Sequence, residues 1–236
     1  MRKRFQLKET IATLIADEEK YIDAAIESIK YHRKQLEKYI SIDPFFKITL
    51  EPYECEEKAP EIVKLMCEAA RKASVGPMAA VAGTIAELAV KAMIAKGASH
   101  AIVENGGDIA MINDREIVIG IYTGESPIKN IGFLIEPRRE PMGICTSSGK
   151  VGPSISFGNA DAATVIARSA SLADACATAL GNEVKDESSV KKAFDSIKEV
   201  EGVEGALLII NNTLAAWGKI PKIKKVLITP NCITGR

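Results

Sequence analysis

Histidine is nearly missing from this chain: His32 and His100 are the only two in 236 residues. That excludes a histidine-rich metal centre and leaves any Ser-His or Cys-His nucleophile to those two positions. Both have plain readings, His32 in a long polar helix and His100 at the entrance of a strand. Cysteine is sparse and odd in number, with five widely spread residues and no Cys-x-x-Cys pair, so neither a disulfide framework nor a zinc site fits. Charge of one sign is lacking too. Lys+Arg and Asp+Glu both total 31, so no domain-wide basic field would attract nucleic acid or an anionic membrane. The sharpest basic cluster, residues 219–225, reads as a solvated face.

Long apolar runs are wanting too, since no stretch reads as approaching the roughly 18 to 20 apolar residues that span a bilayer. The basic start Met1-Arg2-Lys3-Arg4-Phe5 leads into polar residues, which does not make a secretory signal. The expectation is a cytoplasmic protein with no membrane and no nucleic acid among its partners. What is present is ordinary globular composition, 47% hydrophobic and 26% charged, in a chain long enough to bury its own core.

Ile22, Ile26, Ile29, Leu36 and Ile40 fall on one helical face and predict an amphipathic packing helix that ends at Asp43-Pro44. Residues 5–9 and 11–15 are β-like, 48–51 could form a short strand, and Pro60 opens a second helix. Small residues dominate 74–83, ahead of a helix ending near Gly97, so backbone there can approach either a neighbouring helix or a ligand closely. Strands are expected at 101–104 and 108–112 around an Asn105-Gly106-Gly107 turn, continuing through 116–122, 131–136 and 143–146. A buried strand at 163–167 leads to a helix over 171–180 closed by Gly181. A polar helix over 187–199, a hairpin at 206–217 and a short strand at 226–229 complete the chain. Helices and strands do not alternate regularly, which predicts an α+β fold with a mainly antiparallel sheet and packed helices. It would be one domain over 1–236, with a soft boundary between two subdomains near 147–159.

Three constellations could carry chemistry. Glu104, Asn105, Gly106, Gly107 and Asp108 set two glycines beside an acid, able to meet a phosphate or ribose, or to be a plain hairpin turn. Cys145 precedes the hydroxyl-rich turn Thr146, Ser147, Ser148 and Gly149, able to donate to anionic oxygens. Asp174 and Thr178 are four apart, so a carboxylate and a hydroxyl share one face of a helix made mostly of small residues, a donor set that suits magnesium. The rival reading is that Ser171-x-x-Asp174 is a capping box that only starts the helix.

Taken in order, Val103-Glu104-Asn105-Gly106-Gly107-Asp108-Ile109, then Cys145-Thr146-Ser147-Ser148-Gly149, then 163–167 running into 173–180, resemble three motifs of the ApbE superfamily and its small cytoplasmic branch. The resemblance spans roughly residues 75 to 185 and implies an ApbE-like (T-fold-like) fold. Members of that family bind FAD and, with magnesium, transfer its FMN half to a threonine hydroxyl of a protein acceptor. By position, Asp174 and Thr178 match its metal ligands. Gly106, Gly107 and Asp108 match its nucleotide loop, Thr146 to Gly149 its Thr-Ser-Gly turn, and the 76–83 backbone with Gly83 would touch the nucleotide. Two departures stand out: Ala82-Gly83 replaces the family's Lys-Gly pair, and Gly158-Asn159-Ala160-Asp161 replaces a histidine-containing segment. Three functions stay open on the sequence. One is a Mg-assisted FAD or FMN binder with FMN-transferase-type chemistry. The second is an accessory protein of sulfur and homocysteine metabolism that uses Cys145 or Cys232 as a persulfide carrier. The third is a non-catalytic homo-oligomeric assembly protein that kept the fold.

Overall fold

Alternation of side chains organises the N-terminus first. A computed structural model describes residues 1–149 and 158–227. In it β1 (Arg2–Leu7) and β2 (Thr10–Ala16) form an antiparallel hairpin, with Arg2 opposite Ile15 and Leu7 opposite Thr10. Next, α1 (Glu19–Ile42) buries Ile22, Ala25, Ile26, Ile29 and Leu36, the face its sequence spacing predicts. The expected strand at 48–51 is absent. Phe45–Ile48 instead makes one helical turn, α2, which drops Phe46 into the core, and the chain then runs irregularly to Pro60. There it enters α3 (Glu61–Ala73).

A short 3-10 turn over Pro77–Ala80 feeds α4 (Val81–Ala95). Pro77–Ala95 is 19 residues long and apolar enough by length and composition to cross a bilayer, which corrects the reading that no such stretch exists. Its apolarity has a local cause: α4 packs against α1, α3 and the sheet, and buries nine of its residues from Gly83 to Met93.

The strands β3 (Ala101–Asn105), β4 (Asp108–Asn113), β7 (Arg138–Ser147), β8 (Ala162–Ala167), β9 (Val203–Ile210) and β10 (Thr213–Gly218) join the first hairpin. The resulting eight-stranded sheet has the order β1-β2-β3-β4-β7-β8-β9-β10, and every neighbour is antiparallel. Residues 116–122 and 131–136 do not continue it. They form β5 (Ile117–Ile121) and β6 (Ile131–Ile135), which pair with β11 (Lys222–Lys225) in a separate three-stranded sheet. Strand formation thus comes before residues 226–229, of which 228 and 229 lie outside the described residues.

Two apolar layers follow from the period of two along the strands. Val103, Ala110, Cys145, Val165 and Leu208 face the helices, whereas Ile102, Ile109, Met111, Ile144 and Ile209 face the opposite way, onto Phe133 and Ile135 of the small sheet. Of the boundary expected near 147–159, residues 150–157 lie outside the described residues; β7 and β8, on either side of it, are paired neighbours in one sheet. On the helical face lies α5 (Ala170–Glu183), which runs through Gly181 instead of stopping at it. The polar helix expected over 187–199 shrinks to one turn, α6 (Val190–Ala193), followed by a 3-10 turn, because only Val190, Ala193, Phe194 and Ile197 find apolar neighbours there.

Phe133 is fully buried between the two sheets. Phe133→Ala should therefore lower unfolding free energy by about 3–5 kcal/mol, read as a lower urea midpoint at unchanged slope.

Candidate functional site

The start of α4 is built by close backbone contacts. A Cβ on Gly83 would fall 2.3 Å from the Ala170 carbonyl oxygen and 2.7 Å from the Asp174 Cβ, so this position must be glycine for α5 to lie where it does. The close approach expected of the small-residue run is, at Gly83, an approach to a helix. Asp174 Oδ2 accepts the Gly83 N–H at 2.8 Å, and the Ala82 N–H adds a second bond to the same carboxyl. These are donors of the first turn of α4, which has no side-chain cap of its own.

The capping-box reading of Asp174 fails on its own helix. Ser169 is the N-cap of α5, its hydroxyl accepting the Leu172 N–H, and Asp174 sits one turn further in. Asp174 caps α4 instead. The favour is returned by Glu87 of α4, whose Oε2 accepts from the Ser171 N–H at 3.0 Å and the Ser171 hydroxyl at 2.7 Å. Glu87 was missed in the sequence. Its signal was there, as the only carboxylate in the apolar α4 segment.

The β3–β4 turn is the two-residue Gly106-Gly107, with φ of +70° and +105°, a left-handed pair that glycine adopts without strain. Asn105 closes β3 and donates from Nδ2 to the Ala82 carbonyl at 3.1 Å, tying the turn to the start of α4. Strand register then decides which side chains share this face. Asn105 lies opposite Asp108, and Asp108 opposite Cys145, so all three point toward the helices. Two residues beyond Cys145, Ser147 lies beside α5, since a Cβ on Gly181 would stand 3.5 Å from its hydroxyl.

The neighbouring positions point the other way. Glu104 accepts the Gly107 N–H at 2.9 Å and pairs with Thr13, with its carboxyl raised by burial. The Thr146 hydroxyl meets Thr164 at 2.9 Å on that same far face. Ser148 and Gly149 run past the strand and bond the Ala160 carbonyl. Of the residues singled out in the sequence, the fold gathers Gly83, Asn105, Asp108 and Asp174 around the start of α4, with Thr178 and Ser147 further along α5. It turns the Glu104 and Thr146 side chains away from them.

Electrostatics mark this gathering. Burial, and then repulsion from Asp174, raises the Asp108 carboxyl well above its ordinary range, although the Cys145 thiol and the Thr146 N–H hydrogen-bond to it. Asp174 is pushed up to about 7 by burial, against the opposing pull of the Gly83 and Ala82 N–H groups. Along α5, the residues from 170 to 182 that keep some exposure are Asp174, Thr178 and Asn182, one stripe at successive turns. The Thr178 hydroxyl has no hydrogen-bond partner among the described residues. Also among the described residues, no three His, Cys, Asp or Glu side chains converge as a metal cage.

Cys145 is fully buried, and burial with the nearby Asp108 and Asp174 raises its thiol well above the usual range. A thiol held in the protonated form is a poor nucleophile, which weighs against Cys145 as a persulfide carrier. Cys232 lies outside the described residues. The segment that replaces a histidine motif is structural: Asp161 accepts the Asn211 N–H at 2.6 Å, and the Asn159 N–H bonds the Val184 carbonyl at 2.7 Å. His100 stands at the far end of β3 from Asn105.

The sequence profile of the family described as AbpE bacteria matches residues 2–212. The chain belongs to that family. Its relatives include UPF0280 proteins of Methanosarcina acetivorans, 54% identical with 99% of this chain and 93% of the relative covered, and of Archaeoglobus fulgidus, 45% identical with 94% of each covered. Among solved structures, the ApbE protein of Thermotoga maritima aligns with a TM-score of 0.65 at 13% identity over 96% of both chains. The apo flavinyl transferase ApbE of Pseudomonas stutzeri aligns with a TM-score of 0.57 at 14% identity, covering 92% of this chain and 94% of that one. The fold is therefore ApbE-like, as the ordered motifs imply.

Two outcomes follow from the geometry. Gly83→Ala should cost about 1–3 kcal/mol in urea unfolding, because the added methyl meets backbone of α5 that cannot swing aside. For Asp174, the folded protein keeps the proton up to about pH 7, whereas an unfolded chain releases it near the ordinary value of 3.8. Stability should then fall as pH rises between those values. Asp174→Asn should raise the melting temperature of the ligand-free protein at pH 8 by about 3 °C and leave it nearly unchanged at pH 4.

Proposed function

We propose that the site binds a flavin nucleotide, FAD or FMN, together with magnesium, and that it supports FMN-transferase-type chemistry toward a protein acceptor. The observation that carries this reading is the pair of carboxylates. Asp174 and Asp108 are close enough to repel, both are driven toward their protonated forms, and a divalent cation between them and the nucleotide would relieve both. Magnesium suits such a place because it takes few protein oxygens and keeps water and phosphate oxygens for the rest of its shell.

Asp174 would hold the cation, and Thr178, half-buried on the next turn with a hydroxyl that has no partner among the described residues, would complete the protein's share. The bound cation would supply charge neutralisation on the pyrophosphate. The chain's own residues have separate tasks. Gly106 and Gly107 carry no side chains, so the β3–β4 turn admits the nucleotide to its backbone, and Asn105 keeps that turn fixed against α4. Ser147, on the same face beyond Cys145, offers a hydroxyl to an anionic oxygen. Family membership and the ApbE-like fold support the flavin reading. Neither histidine stands among the residues gathered at the site, so a proton leaving an acceptor hydroxyl would pass to a carboxylate or to water.

FAD binding by the purified protein, followed by flavin fluorescence with and without magnesium and with a check for released AMP, tests this reading. The expected result is metal-dependent binding that weakens about tenfold or more in Asp174→Ala. Asp174→Asn, which keeps an acceptor for the Gly83 N–H, should show the same loss without unfolding. AMP release would support the transferase, and binding without AMP a flavin carrier. No binding to the folded protein, or unaltered metal dependence in both variants, would overturn the proposal.

A further inference from the structure

At the end of α1 the surface is apolar and uncovered. Ile42 is 75% exposed, Phe45 57%, Ile48 69% and Leu50 55%, four large side chains between positions 42 and 50. Elsewhere among the described residues, exposed large apolar side chains stand singly along the chain. The local cause is α2. Phe45 and Ile48 are three apart on its one turn and share its outer face, while Phe46 between them is fully buried.

The patch is held from behind. Phe46 packs edge-on against Tyr39 at 5.1 Å and against Tyr53 at 5.5 Å between ring centres, and Tyr53 also meets Phe45 at 6.4 Å. The Thr49 N–H bonds the Phe45 carbonyl at 3.0 Å, and the Thr49 carbonyl oxygen lies so close to Gly76 that a Cβ there would stand 2.1 Å from it. Backbone fixed in this way loses little further freedom when the surface is covered. The four side chains offer on the order of 500 Å² of apolar area, the size at which a patch on a soluble chain marks an interaction site.

The charges around the patch say what covers it. Earlier on α1, charges are paired within the chain: Lys30 with Glu27, and Arg33 with Glu9 and Glu37. Lys38, Lys47, Glu51 and Glu54, by contrast, are exposed and have no ion pair among the described residues. Lys47 and Glu51 bracket Ile48 and Leu50 in the sequence with opposite signs.

We propose that this patch is a two-fold interface whose occupant is a second copy of this chain. In such a contact the same surface lies on both sides, so a rim that carries both signs pairs with itself. Lys47 of one protomer meets Glu51 of the partner subunit, and the reverse pair forms across the axis. A stable interface takes about 800 Å² from each partner, so the charged residues and their stems add what the apolar centre lacks. The mixed signs also disfavour other occupants. Glu51, Glu54, Glu56 and Glu57 follow the patch and would repel an anionic membrane, and a partner of one strong charge would be repelled by half of the rim.

Sedimentation velocity of the full-length protein over a dilution series tests this. Expected is twice the mass of one chain, falling to a single chain on dilution. Ile48→Glu should give a monomer that keeps its circular dichroism, since that side chain is exposed in the single chain. Lys47→Glu and Glu51→Lys should each weaken association about tenfold or more, because like charges then face each other across the axis. Mixing these two variants, or combining both changes in one chain, should restore association, since every contact again joins opposite signs. Rescue on mixing is a readout that no effect within one chain reproduces. A wild type that stays monomeric at the highest concentration, a dimer that Ile48→Glu leaves intact, or variants that do not rescue each other would overturn the proposal. So would wild-type binding to phosphatidylglycerol vesicles that Ile48→Glu abolishes, which would assign the patch to a membrane.

Discussion

The reciprocal capping of α4 and α5 is the contact on which the rest of the site depends. Asp174 of α5 receives the first N–H groups of α4, and Glu87 of α4 receives the Ser171 N–H and hydroxyl at the start of α5. Each helix places a carboxyl oxygen at the other's N-terminus, where it accepts the otherwise unpaired N–H groups. The exchange works only if the helices lie almost backbone to backbone, which explains the glycine at 83 and the alanines around it. It also explains how carboxylates can be tolerated between two largely apolar helices, since each is compensated by donors that would otherwise be orphaned.

The sheet adds the second half of the arrangement. Register across β3, β4 and β7 lines up Asn105, Asp108 and Cys145 on the face that meets these helices. Asp108 therefore arrives beside a carboxylate already engaged as a cap, and the two repel in buried surroundings. Such a pair is unfavourable by itself and favourable around a cation, which connects a capping device to the proposed metal and flavin chemistry. The same neighbourhood raises the Cys145 thiol, so the cysteine nearest to the site is the least suited to nucleophilic work.

The segment between α2 and α3 borders this assembly through Gly76, which sits against the Thr49 carbonyl and begins the small-residue run that ends at Gly83. That segment is held by aromatic packing, Tyr53 against Phe46 and Phe46 against Tyr39 of α1. The entry to α4 is thus supported from outside as well as from α5.

Local patterns in the sequence determined the long α1, the Gly106-Gly107 hairpin, the placing of Asp174 and Thr178 on one helical face, and the α+β class. All of these depend on spacings of two to four residues, which a chain carries wherever it folds. Three ordered motifs also revealed the ApbE-like fold. Tertiary structure alone decided that residues 117–135 leave the main sheet for a second one and that Glu104 and Thr146 face away from Asp174. It also decided that Asp174 caps α4 and not its own helix. The physical reason is common to all three: each is a contact between elements, set by strand register or by how closely two backbones can approach, and neither quantity is written in the local period of side chains.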